Sequence, residues 1–236
     1  MQIDLITLFP EYFISSLETS IIKRASEKKA FEIKFHQIRD FAHDKHRSVD
    51  DIPYGGGAGM VMMPAPLFET WNSFPKKEKS ISLVLSPRGK VFSQNLAKEL
   101  SENYEQIIFT AGHYEGLDCR YLELTHSQEL SLGDFVLTGG EAALVPIIDA
   151  VIRLLPGVLG NDESAIRESF TSNLLEHDQY TRPANFMGLK VPKVLQSGNH
   201  AKIDKWRKAN ALKNTLLKRP DLLASLPEDF FDEFDE

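Results

Sequence analysis

Three short stretches set glycine beside carboxylates, hydroxyls and large apolar side chains: "LSPRGK" at 85–90, "AGHYEGLDCR" at 111–120 and "LGDFVLTGGE" at 132–141. A ligand held where they meet would face backbone N–H and C=O groups, the Glu115 carboxylate and the side chains of Leu85, Leu132 and Leu137. Such walls suit an adenosine better than a triphosphate. A fourth stretch, "DDIPYGGGAGM" at 50–60, packs four glycines into five residues beside Asp50, Asp51 and Tyr54. Glycine runs cradle phosphate, let a flat ligand approach the backbone, or simply bend. A dinucleotide turn would need a hydrophobic strand before it, and here the charged "HDKHRSVDDIP" precedes. A Walker loop would need Lys and then Ser or Thr where Met60 and Val61 stand. What remains is a Cβ-poor loop fit to approach a base or close over a site, or a plain surface turn.

Other polar groups carry less. "HDKH" at 43–46 lacks a third metal ligand at any useful spacing and reads as a solvated segment. "SEKK" at 26–29 fits an S-x-x-K pattern with no companion motif. Arg153 follows Asp149 by four residues, the spacing of an ion pair on a helix.

The elements that must position these loops alternate along the chain. "IDLITLF", "FEIKFHQI", "ISLVLS", "EQIIFTAG", "QELSLG" and "DFVLTGG" read as strands. "EYFISSLETSIIKRASEKK", "PLFETWNSF", the serine-capped "SQNLAKELSEN" and the apolar run from Glu141 to Leu155 read as helices. The alternation predicts an α/β layer domain around a mostly parallel sheet, with the three glycine-bearing loops gathered along one sheet edge, where open α/β sheets place ligands.

Residues 1–160 form this domain, 161–172 a polar linker or loop, and 173–236 a small, mostly helical domain with an acidic tail. The chain of 236 residues carries a formal net charge of −7, which on its own argues against a polyanionic partner. The distribution argues otherwise. Between 190 and 219 there are nine Lys and Arg residues against the single acid Asp204, a basic block beside an acidic end. That block is either a site for phosphate or a solvated face onto which the tail folds back. The lone cysteine, Cys119, rules out an intrachain disulfide and fits a reducing compartment. The start, "MQIDLITLFPEYF", is unlike a signal peptide, and Asp149 and Arg153 interrupt the longest apolar stretch, so a cytoplasmic protein is expected.

Taken in order, "LITLFPEYF", "RDFAHDKHRSVDDIPYGGGAGMVMMPAPL", "LSPRGK", "GHYEGLDCR", "SLGDFVLTGGE", "IDAVIRLLPGVLG", "YTRP" and "VPKVLQSGNHAKIDKWR" resemble the bacterial tRNA (guanine-N1)-methyltransferases over nearly the whole chain. The resemblance implies a SPOUT fold with a trefoil knot, an exception to the rule against knots. It implies methyl transfer from S-adenosylmethionine to N1 of the guanine 3′ of the anticodon, and a homodimer whose sites use both chains. The cofactor would be held by Leu85, Ser86 and Pro87, by Gly112, Tyr114, Glu115 and Gly116, and by Leu132, Gly133, Asp134, Phe135, Val136, Leu137, Gly139 and Gly140. Arg153 matches the family's catalytic arginine, and Glu168 stands where the family has an aspartate base, with Asp162 and Glu163 as alternative acids. His113 replaces the usual arginine and Phe135 the usual tyrosine. For tRNA the resemblance implies Asp50, Tyr54, Gly55, Gly56, Gly57 and Gly59, together with Arg182, Ser197, Asn199, His200 and the basic helix. No motif in the sequence specifies whether magnesium assists. Two readings stay open beside this one: a nicotinamide-dependent oxidoreductase, opposed by the missing G-x-G-x-x-G after a strand, and a non-catalytic RNA-binding protein that has lost its base at Glu168.

Overall fold

The computed structural model describes residues 1–159, 169–170 and 173–226. The chain divides into two compact units, Met1–Asp162 and Glu163–Glu236. In the first unit five strands run parallel: β1 (Gln2–Thr7), β2 (Glu32–Gln37), β5 (Ser80–Val91), β6 (Gln106–Thr110) and β7 (Gln128–Ser131). Their order across the sheet is β2-β1-β6-β5-β7. Two short strands, β3 (Asp50–Asp51) and β4 (Val61–Met62), pair antiparallel beside them.

Side chains on successive positions of a strand point to opposite faces, so apolar residues on neighbouring positions feed two separate cores. On one face Ile3, Leu5, Leu83, Leu85, Ile107 and Phe109 pack with Leu144, Ile148 and Val151. On the other, Ile6, Val84 and Ile108 pack with Ile38, Met62, Leu67 and Tyr121. Asp4 falls on this second face and is fully buried. Its carboxylate accepts from Gln2 Nε2 at 2.8 Å and Gln106 Nε2 at 2.7 Å, and pairs with His36 Nε2 at 2.8 Å. Burial raises the Asp4 pKa, but these three hydrogen bonds and the His36 charge outweigh it, so the carboxyl lies below its ordinary range.

Helices cover both faces: α1 (Ile14–Leu17), α2 (Ser20–Glu27), α3 (Pro64–Asn72), α4 (Gln94–Asn103), α5 (Cys119–Thr125) and α6 (Gly140–Ile152). The serine cap of α4 is present, Ser93 Oγ accepting from Leu96 N at 3.3 Å. Several expectations are corrected. The single helix expected across 11–29 is broken, because Thr19 adopts extended backbone and Ser20 a left-handed φ of 51° between α1 and α2. "DFVLTGG" is not a strand: Phe135, Val136 and Leu137 are exposed and no ladder partner lies beside them. "LSPRGK" belongs to β5, as a bulge in which both Leu85 and Lys90 pair with Leu130. Helix α6 ends at Ile152 rather than Leu155. The short helix α5, capped by Asp118 accepting from Arg120 N at 2.9 Å, was not expected. "SEKK" lies at the end of α2 and beyond it.

The second unit contains a hairpin, β8 (Asn185–Phe186) with β9 (Leu189–Lys190), and the helix α7 (His200–Lys218). Asp178 ties its irregular start to α7, accepting from Asn214 Nδ2 at 3.0 Å and Asn210 Nδ2 at 3.2 Å. Among the described residues no helix is long and apolar enough to cross a membrane.

Candidate cofactor cleft and active site

Because the five strands are parallel, their carboxyl ends share one edge, and the chain leaves that edge through the bulge after Leu85, the loop after Thr110 and the loop after Ser131. These loops enclose a cleft of about 480 Å³, a size that suits a nucleoside-sized ligand. Fourteen of the fifteen residues expected at the cofactor line it; Asp134 does not. Leu85 and Leu130 form apolar wall, and Ser131, Thr138 and Glu115 add polar groups.

Close backbone approach is what the glycines permit. Gly140 N donates to Gly112 O at 2.8 Å, locking the second loop onto the start of α6. A Cβ on Gly140 would stand 2.7 Å from Gly112 N and 2.8 Å from Ala111 Cα. A Cβ on Gly139 would stand 2.4 Å from His113 Cε1. Glu141, 2% exposed, lies in the first turn of α6. Its carboxylate accepts from Thr7 Oγ1 at 2.5 Å and pairs with His113 Nε2 at 2.5 Å. One buried carboxylate therefore joins the end of β1, the second loop and the third. A carboxylate at a helix N-terminus is also favoured by the helix dipole.

The glycine-rich stretch adjoins the same cleft. Glu115 N donates to Met60 O at 3.0 Å, Met62 N to Gly116 O at 2.9 Å and Asp118 N to Met62 O at 3.1 Å. This ladder seats the 55–59 turn beside the second loop. Gly59 combines a φ of +81° with a place where a Cβ would stand 2.4 Å from Glu115 Oε1, whereas Gly55, Gly56 and Gly57 have positive φ but open space around them. Tyr54 is almost wholly exposed. Asp50 lies against Tyr114, whose phenol is pushed up by burial and then by the Asp50 carboxylate.

Arg153 caps α6, its backbone N donating to Asp149 O at 3.0 Å, and its half-buried side chain is not among the cleft's lining residues. Glu168, Asp162 and Glu163 lie outside the described residues. In the second unit Arg182 is exposed, Asn199 Oδ1 caps α7 by accepting from Lys202 N at 3.1 Å, and Ser197 Oγ donates to Val194 O at 2.7 Å. His200 opens that helix.

The profile described as "tRNA (Guanine-1)-methyltransferase TrmD" matches residues 1–225. The chain belongs to this family. A Carboxydothermus hydrogenoformans tRNA (guanine-N(1)-)-methyltransferase is 54% identical over 223 residues, 94% of this chain and 87% of that protein. Proteins of the same name from Dehalococcoides mccartyi and Bacillus cereus are each 51% identical, over 96% and 94% of this chain and 92% of their own lengths. As a TrmD family member the chain is a tRNA methyltransferase.

Four titratable lining residues were not singled out from sequence as ligands: Arg88, His113, Cys119 and Glu129. Arg88 Nη2 donates to Glu129 Oε1 at 2.8 Å, stapling the bulge to β7. Glu141 had one signal in the sequence, an acid in the first turn of a helix whose one other charged residue is Asp149. "HDKH" is used locally: His43 pairs with Glu69 at 2.6 Å and Asp44 accepts from Ser48 N at 2.7 Å. Among the described residues no cluster of three His, Cys, Asp or Glu side chains could hold a metal.

Proposed function

We propose that the cleft of the first unit holds S-adenosylmethionine and that the enzyme methylates N1 of the guanine 3′ of the anticodon, position 37 of tRNA. The convergence of three loops on one nucleoside-sized cleft, in a chain of this family, carries the reading. The donor set fits the cofactor. Backbone groups of the second and third loops approach without Cβ atoms between them, the leucines offer apolar walls, and Glu115 offers a carboxylate to a ligand bearing ammonium and sulfonium charge. When bound, the cofactor supplies an electrophilic methyl group on a positively charged sulfur.

The chain's own residues must prepare the nucleophile. Guanine N1 carries a proton, so a carboxylate base must take it; Glu168 is assigned that role, its carboxylate receiving the proton as N1 gains the methyl. Negative charge moving toward guanine O6 calls for a fixed cation, the role assigned to Arg153. The SPOUT reading further supplies a trefoil knot through the cofactor loops and a homodimer in which the partner completes the site. In this account residues 161–172 act as linker, and Asp50, Tyr54 and the glycine turn with Arg182, His200 and the basic side of α7 position the anticodon arm. The enzyme works in the cytoplasm.

The test is turnover against cofactor affinity. Arg153→Ala and Glu168→Gln should each lower methyl transfer at least tenfold while leaving calorimetric S-adenosylmethionine affinity within about twofold. Full turnover in Glu168→Gln would remove the base assignment, and wild-type protein that binds no S-adenosylmethionine would remove the cofactor assignment.

A further inference from the structure

Among the described residues, no part of the hairpin β8–β9 is buried. All ten residues from 181 to 190 are exposed, including Phe186 at 63%, Met187 at 88% and Leu189 at 79%. Yet the segment is ordered by its own hydrogen bonds. Met187 and Gly188 form the tip with φ of 51° and 89°, values that suit the tight two-residue turn of a twisted hairpin. Gly188 N donates to Asn185 Oδ1 at 3.1 Å, and Val191 N to Ala184 O at 3.0 Å closes the base. Phe186 pairs directly with Leu189, and Asn185 with Lys190. Directly paired residues share a face, so Phe186 and Leu189 form one apolar face and Lys190 lies on the other. A two-stranded ribbon with no core behind it gains little stability from apolar side chains left in water, so their chemistry points to a partner.

The charge around the hairpin says which partner. From Gln179 to Ile203 the sequence has no acidic residue, while Arg182, Lys190, Lys193 and Lys202 supply four cations. A rigid aromatic ring and an apolar tip set among cations form a stacking platform for unpaired bases on a phosphate backbone. The cationic surroundings match a polyanion, and the exposed ring matches the face of an unpaired base.

We propose that this hairpin is a base-stacking wedge: Phe186 stacks on, and Met187 inserts beside, an unpaired nucleotide of the tRNA, while the flanking cations hold the phosphates. The proposal rests on the reading of tRNA as substrate. It adds a contact by base face, which discriminates an open loop from a duplex, to the phosphate contacts of α7.

The full-length enzyme, its Phe186→Ala/Met187→Ser variant and its Phe186→Tyr variant would be titrated with an anticodon-arm transcript at several salt concentrations. Melting curves and sedimentation would be recorded alongside. The double variant should melt like wild type and bind roughly five- to a hundredfold more weakly. Its slope of log affinity against log salt should be unchanged, because no phosphate contact is lost. Phe186→Tyr should restore binding. Affinity within twofold of wild type in the double variant overturns the proposal, as does a parallel drop in salt slope. A change of oligomeric state in the double variant also overturns it and assigns the face to a second copy of the chain. Wild type that binds the arm by this signature but transfers no methyl group would fail the proposed reaction alone; wild type that binds no RNA fails both.

Discussion

Gly140→Ala tests the structural basis of the cleft without touching any charged group. A Cβ at this position would meet Gly112 N at 2.7 Å, Ala111 Cα at 2.8 Å and Ala111 C at 3.1 Å, all of them backbone atoms. Non-bonded carbon contacts settle near 3.5–4.0 Å, so the start of α6 must retreat by about 1 Å from the second loop. The bond from Gly140 N to Gly112 O, now 2.8 Å, would stretch beyond useful length. Overpacking of this kind costs about 1–3 kcal/mol, and the lost hydrogen bond about 1 kcal/mol more. For a chain of this size the sum lowers Tm by roughly 5–15 °C. Because the displaced segment lines the cleft, S-adenosylmethionine affinity should fall at least tenfold. Gly157→Ala is the control: its φ of +77° imposes strain of about 1 kcal/mol, but among the described residues no atom lies within 4 Å of the added Cβ, and it lines no part of the cleft. Differential scanning calorimetry and titration calorimetry read both quantities. Gly140→Ala with wild-type Tm and wild-type cofactor affinity would refute the claim that close backbone approach builds this site.

Further outcomes follow from the same geometry. Glu141→Ala strands the Thr7 hydroxyl and the His113 ring nitrogen, and should cost about 2–4 kcal/mol by denaturant melts, with weaker cofactor binding; unchanged stability would show that the carboxylate joins nothing. Asp4 has a folded pKa below its ordinary value, so its ionised form contributes stability above about pH 4 that is lost as pH falls through the folded value. Asp4→Asn should therefore melt lower than wild type at pH 7 and show a smaller drop in Tm between pH 5 and pH 3; parallel curves would contradict the pairing with His36. Replacing Lys202 and Lys205 by Gln should reduce the salt slope of tRNA binding by roughly 1.5, and an unchanged slope would remove α7 from the phosphate contacts.

Much of the first unit was legible because strands such as β5 and β6 carry apolar runs followed by serine or glycine, and a parallel sheet sends their ends to one edge. That logic brings the stretches 85–90, 111–120 and 132–141 to one edge, whereas the individual cofactor positions within them came from the family resemblance. It failed at "DFVLTGG", where apolar residues that would line a strand instead leave the sheet and lie exposed at the cleft. Apolar pattern reports burial against something, and it does not say whether that something is protein or ligand. The seven-residue α5 was missed because it is shorter than two full turns of apolar periodicity, although Asp118 supplied a capping signal. The Thr7–Glu141 bond joins residues 134 apart in sequence, and no local pattern encodes such a pairing. Arg153 read as an ordinary helix-end cation from spacing alone; only the family resemblance gave it a catalytic role.

The most direct test of the central claim is where the methyl group lands. Wild-type enzyme with methyl-labelled S-adenosylmethionine should label a tRNA transcript carrying guanine 3′ of the anticodon, the modified nucleoside co-migrating with N1-methylguanosine, and should leave the adenine-substituted transcript unlabelled. Equal labelling of both transcripts, or methylation at another atom of the base, would contradict the account.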